Sequence, residues 1–396
     1  MKIVIIGGGN AGVWTALHYG YYTQNIKDVE VELIFNPDID PVPVGQGTLV
    51  SALQLLETAC GPNWYTNEVR ATPKFGIVYE NWNKKNKDIL SFINFNSLAM
   101  HIDPKHLQKY ILNSGWFGVK EGNVTDLDAV DADVIFDCRG NVDKGHAQYE
   151  DLYCPVNSVL LATSSISDSS QNWTRAVATP DGWTFVIPNA EKTTSYGYLY
   201  NKDITPLKDA SANFSEIFGE EFPNEMKPVN LNFDSYMSKE PVRIDSNGRK
   251  IILNGNRLSF LEPLEATAIE FYIWWAKNTY DWVVNGTVDN GVNELTSRFN
   301  KHMKEIHTFI LWHYTNGSLY DTPFWKSAKE KTTTIFEQPN EIFQSVVNTI
   351  KLMNHHDCRA ADYHSALVYG QWQSMNIKNW YEGYIKDGDS DRQRNG

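Results

Sequence analysis

The stretch Lys2-Ile3-Val4-Ile5-Ile6-Gly7-Gly8-Gly9-Asn10-Ala11-Gly12 decides the fold. Ile3 to Ile6 is a short apolar, β-branched run of the kind that forms a buried strand. Gly7, Gly9 and Gly12 then give G-x-G-x-x-G, and a helical pattern runs from Val13 toward Thr23. Strand, tight turn and helix in that order are the context in which this spacing marks a dinucleotide site. Gly7 permits the turn, Gly9 lets a pyrophosphate approach the backbone, and Gly12 lets helix and strand pack closely. Asn10 and Ala11 complete the turn and belong to the same site. A second strand, Val29 to Phe35, ends at Asn36, where an acid ordinarily binds the ribose hydroxyls; Asp38 and Asp40 are near enough to substitute.

The chain has 396 residues, of which 42% are hydrophobic and 21% charged, the balance of an ordinary globular protein large enough for two parts. A net charge of −13 argues against nucleic-acid backbones and anionic membranes as partners. No apolar run is long enough to span a bilayer, and Met1 leads directly into the first strand without a signal peptide. Cys60, Cys138, Cys154 and Cys358 are scattered with no C-x-x-C, which suits free thiols in a cytoplasmic setting. Aromatic residues reach 13%, with 13 tryptophans, which fits a stacked aromatic pocket or, as the default, a Trp-rich core.

Further motifs lie downstream. Val44-Gly45-Gln46-Gly47-Thr48-Leu49 is a Gly-rich loop followed by a predicted helix from Ser51 to Thr58. Thr72-Pro73-Lys74-Phe75-Gly76-Ile77 leads to Glu80-Asn81-Trp82; on its own, a lysine before an alternating strand is usually a solvated charge. A helix is predicted from Pro104 to Leu112, and a buried strand in Asp133 to Gly140. Gly182-Trp183-Thr184-Phe185-Val186-Ile187-Pro188 puts Trp183, Phe185 and Ile187 on one strand face, and Ser195 to Tyr200 is its hairpin partner. A helix is predicted over Asp209 to Phe218, then a strand from Ile251 to Asn254, with Gly255 and Asn256 after it. Glu262-Pro263-Leu264-Glu265-Ala266-Thr267-Ala268-Ile269 follows, and Pro263 is read as the first turn of a helix running toward Tyr280. The tip of such a helix presents unpaired N–H groups and the positive end of its dipole, so it binds anions. Glu265 alone would be a dipole-matched surface acid. His302 and His307 are five apart and share no helix face, His355, His356 and His364 lack H-E-x-x-H, and there is no G-x-S-x-G or P-loop, so no metal site is expected.

Taken together and in this order, these motifs resemble the flavin-dependent halogenases, the tryptophan halogenase family. Glu262 to Ala268 stands where that family has E-P-L-E-S-T-G. The loop at Val44 resembles V-G-E-A-T-[VI]-P, the Lys74 segment K-x-G-[IV] ending in an Asn/Asp-Trp pair, and the Gly182 segment G-W-x-W-x-I-P. Asp133 to Gly140 resembles D-x-V-I-D-x-[ST]-G, with Arg139 in place of a small residue. His313-Tyr314, Asp321 to Trp325, and Tyr369-Gly370-Gln371 resemble later blocks of the family.

The resemblance implies an α/β chain: a Rossmann-like fold of the FAD-dependent monooxygenase kind with an antiparallel sheet and a mainly helical C-terminal region. Residues 1–262 would bind FAD, with the sheet inserted at about 60–100 and 150–235, and residues 263–396 would cover the substrate. It implies Lys74 and Glu265 as catalytic residues and Thr267 with Ala268 as the halide site for chloride, bromide or iodide. Gly7, Gly9, Asn10, Ala11, Gly12, Asn36, Gly45, Gln46, Gly47, Thr48, Asn256 and Ile269 would line the FAD. Trp183, Phe185, Ile187 and Pro188 would keep substrate away from the flavin. The implied activity is halogenation of a small electron-rich aromatic, an indole or phenol, with reduced FAD supplied by a separate reductase. An aromatic monooxygenase, favoured by Phe185 in place of the second Trp, and a flavin binder without catalysis stand as alternatives. Oligomeric state is left open.

Overall fold

The run Ile3-Val4-Ile5 is wholly withdrawn from solvent in the computed structural model, which describes residues 1–42, 44–83, 89–92, 98–140, 142, 148–168, 170–224, 226–286, 291–337, 367–368, 372–373 and 380. Among them the α-helices are α1 (Asn10–Thr23), α2 (Val50–Cys60), α3 (Pro104–Leu112), α4 (Leu207–Phe218), α5 (Thr267–Tyr280), α6 (Gly291–Thr315) and α7 (Pro323–Glu337). The chain divides into two units. The first holds Met1–Ala71, Ile102–Tyr153 and Asp234–Lys301; the second holds Thr72–His101, Cys154–Phe233 and His302–Gly396.

In the first unit Lys2–Ile6 lies inside a six-stranded sheet, paired in parallel with Glu30–Phe35 on one side and Val134–Asp137 on the other. Gly118–Glu121 extends the sheet in parallel beyond Glu30–Phe35, and Lys250–Leu253 extends it in parallel beyond Val134–Asp137. Only Val242–Ile244, at the edge, runs antiparallel. Parallel strands need both faces covered. One cluster joins Val4, Ile6, Ile34, Val130, Ile135 and Ile251. Elsewhere α1 is buried nearly all round, with Val13, Trp14, Ala16 and Leu17 at 0% exposure. A three-stranded antiparallel sheet of Tyr149–Asp151, Tyr236–Ser238 and Ser259–Phe260 completes this unit.

The helix α5 belongs here, so the division does not fall at residue 262. The Trp275 indole donates to the Leu253 carbonyl at 2.9 Å, and Tyr19 of α1 meets Thr279 of α5 hydroxyl to hydroxyl at 3.0 Å. Those contacts tie α5 to the sheet and to α1. Its start also differs from expectation. Pro263 is not helical: its carbonyl accepts the Ala266 N–H at 2.9 Å, closing a turn, and α5 begins at Thr267.

The second unit is built on a seven-stranded sheet in the order Val229–Asn232, Ser158–Ser164, Thr194–Tyr200, Gly182–Pro188, Thr174–Thr179, Gly76–Glu80, Ile89–Phe92. All neighbours are antiparallel except Thr174–Thr179 with Gly76–Glu80. Gly182–Pro188 and Thr194–Tyr200 form the anticipated hairpin, with Phe185 opposite Gly197. The helix α4 covers one face, packing Ala210, Phe214 and Phe218 on Leu160, Val177, Val186, Tyr196 and Tyr198. The Tyr369-Gly370-Gln371 motif, His355, His356, His364 and Cys358 lie outside the described residues.

Candidate functional site

The first unit supplies a cradle at the G-x-G-x-x-G turn. Gly7 has φ +116°, and a Cβ there would stand 2.5 Å from the Cys138 carbonyl oxygen. A Cβ on Gly12 would fall 1.8 Å from the Gly7 carbonyl oxygen. Only glycine fits either position. Gly9 differs: a Cβ there would meet nothing within 4 Å, so its backbone borders open space at the tip of α1, which has no side-chain cap. Open space before an uncapped helix tip is where a pyrophosphate fits, and the residues present are compatible with one.

Hydrogen bonds from distant segments hold this turn. Asn10 Nδ2 donates to Gln46 Oε1 at 2.6 Å, so the Gly45-Gln46-Gly47-Thr48 loop is fastened to the first residue of α1. Gln108 Nε2 of α3 donates to the Gly8 carbonyl at 2.6 Å, a role with no motif to reveal it. Gly255, at φ +65°, comes so close to Ala11 that a Cβ would stand 2.5 Å from the Ala11 Cβ. That contact brings Asn256, whose carbonyl accepts the Tyr236 hydroxyl at 2.6 Å, to the same turn.

At the end of the second strand the Asn36 carboxamide oxygen accepts the Asp38 N–H at 3.0 Å. Asp40, the other candidate acid, bonds Lys105 Nζ at 2.8 Å on the surface. A stronger charge cluster lies two strands away. Buried Asp137 is gripped by Arg139, Nε to Oδ1 at 2.8 Å and Nη2 to Oδ2 at 2.9 Å, and by Arg257 Nε at 3.2 Å. Burial alone would raise the Asp137 carboxyl, but the Arg139 bonds and the two guanidinium charges hold it below the usual carboxylate range. Arg139 also donates to the Val124 and Thr125 carbonyls, at 3.1 and 3.0 Å. It therefore does not fill the place of a small residue passively; it fixes the loop after Gly118–Glu121.

The tip of α5 is the second anion-compatible element. Ala266 precedes it with φ 54° and ψ 35°, a left-handed conformation, and the helix has no side-chain cap. The residue that tolerates positive φ here is therefore Ala266, while Ala268 is helical and exposed. Thr267 and Ile269 are buried. Glu265 is buried as well, at 1% exposure, so the surface-acid reading fails.

In the second unit Lys74 ends the strand Thr72–Lys74, opposite Ala99 in an antiparallel pair that also sets Thr72 opposite His101. Lys74 is 0% exposed, which rules out a solvated charge. His101 beside it is spanned by two hydroxyls, Thr72 Oγ1 at 3.2 Å from Nδ1 and Thr174 Oγ1 at 2.9 Å from Nε2. Burial, and then the Lys74 charge, hold this imidazole well below its usual pKa and therefore neutral. Thr72 Oγ1 also lies 3.1 Å from the Pro188 carbonyl, so the end of the Gly182–Pro188 motif strand is joined to the lysine strand. Trp183, Phe185 and Ile187 are all buried on that strand. Trp82 donates its indole N–H to the Ala176 carbonyl at 2.9 Å and sits among Tyr79, Trp183, Tyr314 and Trp325 with no exposure of its own. These rings are core, and three of the 13 tryptophans lie among them.

The chain matches the family described as tryptophan halogenase over residues 2–122 and 118–382. It is 28% identical over 222 residues to tryptophan 7-halogenase RebH of Lentzea aerocolonigenes and 26% identical over 218 to tryptophan 6-halogenase ThaL of Streptomyces albogriseolus. Each match covers 50% of this chain and only 38% of the relative's length. Among solved structures, the tryptophan halogenase of Shewanella frigidimarina superimposes with a TM-score of 0.77 at 16% identity, covering 97% of this chain and 89% of that one. BrvH, a flavin-dependent halogenase from Brevundimonas sp. BAL3, gives 0.72 at 16% identity over 97% and 90%. The motif order from Gly7 onward, the Rossmann-like sheet and these matches agree: the chain belongs to the tryptophan halogenase family.

Proposed function

We propose that this chain is a flavin-dependent halogenase that installs a halogen on an electron-rich aromatic carbon. The observation that carries the reading is the fully buried Lys74 amine beside a neutral His101, joined through Thr72 to the Pro188 end of the family's motif strand. Burying an ammonium is costly, so a chain that keeps one out of water uses it or pairs it. Reduced FAD with O₂ would supply the two-electron oxidant that, with halide and a proton, gives hypohalous acid, oxidised FAD and water. Gly7, Gly9, Gly12, Asn10, Ala11 and Gln46 would hold the dinucleotide, with Asn36, Gly45, Gly47, Thr48, Asn256 and Ile269 around it. The N–H groups of Thr267 and Ala268 would hold the halide.

Lys74 would then hold the hypohalous acid by hydrogen bonding, or bind the halogen as a haloamine, so that the oxidant meets the substrate in one orientation. The aromatic carbon takes the halogen, and Glu265 accepts the ring proton. Free hypohalous acid is unselective, so the gain lies in that orientation. An indole or a phenol suits the chemistry. A separate reductase would provide the reduced flavin. The buried thiol of Cys138 and the thiol of Cys60 agree with a cytoplasmic protein.

The test supplies FAD, a reductase, O₂ and chloride, bromide or iodide to a panel of indoles and phenols, with Lys74→Ala as control. Halogenated product from the parent and none from the variant is expected. Equal product from both would remove Lys74 from the mechanism. Phe185, where the family has a second Trp, favours one rival, aromatic hydroxylation; a product heavier by one oxygen instead of a halogen would establish it.

A further inference from the structure

Within the halogenase reading, Glu270 is a residue the family motif leaves without a role. It sits in the first turn of α5, 6% exposed, three positions past Thr267. Its Oε2 accepts the Ser51 backbone N–H at 3.1 Å, across 219 residues of sequence. Ser51 lies in the first turn of α2, whose N-cap, Leu49, offers no side-chain bond. Glu270 therefore satisfies one of the orphan N–H groups of α2 from another helix. The same carboxyl stands in the turn of α5 that would hold a halide.

We propose that Glu270 sets the halide affinity of the α5 tip: ionised, it competes with a halide for the positive end of the helix, and protonated, it leaves that end to the halide while keeping its bond to Ser51. Halide binding is then coupled to proton uptake by this carboxyl. Two negative charges in one helical turn repel, whereas a neutral carboxyl there does not. Burial, the largest influence on Glu270, raises its pKa and puts the neutral form within reach; the Ser51 bonds and the Lys277 charge act the other way. Lys277 lies farther along α5, and α2 presents Ser51. The ionisable groups α1 turns toward α5 are His18, Tyr19 and Tyr22, which meet Tyr280 and Thr279 at its far end. Glu262 and Glu265 lie in the segment before α5.

The experiment titrates the full chain, saturated with oxidised FAD, with bromide from pH 5 to pH 9, ionic strength held with gluconate, and reads the saturable rise in melting temperature. The parent's bromide affinity is expected to weaken as pH rises, by up to about tenfold per pH unit above the Glu270 pKa. Glu270→Gln keeps an acceptor for Ser51 and should bind bromide at every pH as tightly as the parent does at its acid limit. Ser51→Ala removes the hydroxyl bond that favours the carboxylate, so it should move the parent's pH midpoint upward. A Gln variant with the parent's pH slope, or an unmoved midpoint in Ser51→Ala, overturns the role of Glu270 alone. No saturable bromide effect in the parent at any pH overturns the halide site and this inference with it.

Discussion

The ring of Phe185 lies over Gly197 on the neighbouring strand, and substituting that glycine tests whether the motif strand is held by the contact. A Cβ on Gly197 would fall 2.1 Å from Phe185 Cζ and 2.2 Å from Cε1. Carbon atoms in contact sit at about 3.5–4 Å, so the ring would have to retreat by roughly 1.5 Å. Phe185 is 9% exposed and Trp183 is 1% exposed, with the two ring centres 6.3 Å apart, so there is little free space to retreat into. Forced overpacking of that kind costs about 2–3 kcal/mol. Replacing glycine by alanine in a strand returns roughly 0.5–1 kcal/mol. Gly197→Ala should therefore destabilise by about 1–2 kcal/mol net. In a Phe185→Ala background, itself lower by about 3–5 kcal/mol, the clash is gone and Gly197→Ala should be mildly stabilising. The coupling between the two positions is then about 2–3 kcal/mol. Equilibrium urea unfolding of the parent, both single variants and the double variant measures it. Additive effects within about 0.5 kcal/mol would show that the ring does not rest on Gly197.

Three further outcomes are expected. Asp137→Asn removes the charge held by Arg139 and Arg257, so it should cost about 3 kcal/mol in urea unfolding; because the next residue, Cys138, abuts Gly7, FAD affinity measured by fluorescence titration should fall with it. His18 is buried among Tyr19, Tyr22 and Tyr280, and neither ring nitrogen has a hydrogen-bond partner; burial and then the Lys277 charge lower its pKa from 6.5 to about 3. The unfolded chain therefore takes up the proton first as pH falls below 6.5, and the parent should lose about 2 kcal/mol between pH 7 and pH 5 that His18→Phe does not lose in the same unfolding assay. Ala266→Gly should leave the stability in urea unfolding unchanged or raise it by up to about 1 kcal/mol as the left-handed strain is relieved, whereas Ala266→Val should lower it.

Legibility followed the range of the interaction. The strand, turn and helix at Lys2 to Thr23 are fixed by sterics between residues close in sequence, and the glycine spacing records those sterics directly. Gly12 is needed because of the Gly7 carbonyl five residues before it, and no other residue type would satisfy it; the Cys138 carbonyl that also bars a side chain at Gly7 comes from far along the chain. The helix expected over Pro104 to Leu112 has those bounds, and the structure shows that its start is local as well: Asp103 caps it by accepting the Lys105 and His106 N–H groups, with Pro104 next. Gln108 on Gly8, Arg139 on Val124, and Glu270 on Ser51 left no local trace. Each is a single polar residue whose partner lies elsewhere in the chain, and such residues look like surface until the fold is known.

Pro263 shows the limit from the other side, because its local signal was real and still misled. Proline suits the first turn of a helix, but a helix continuing from Glu262 would spread positions 262, 264 and 265 at about 0°, 200° and 300° around its axis. All three, Glu262, Leu264 and Glu265, are buried. A turn closed by Ala266 N–H on the Pro263 carbonyl, with Ala266 left-handed, aims them inward and only then releases the chain into α5. The catalytic reading of Glu265 depends on that turn, since a helix begun at Pro263 would move its carboxyl to a different face. The left-handed strain at Ala266 is thus tied to the direction in which Glu265 points.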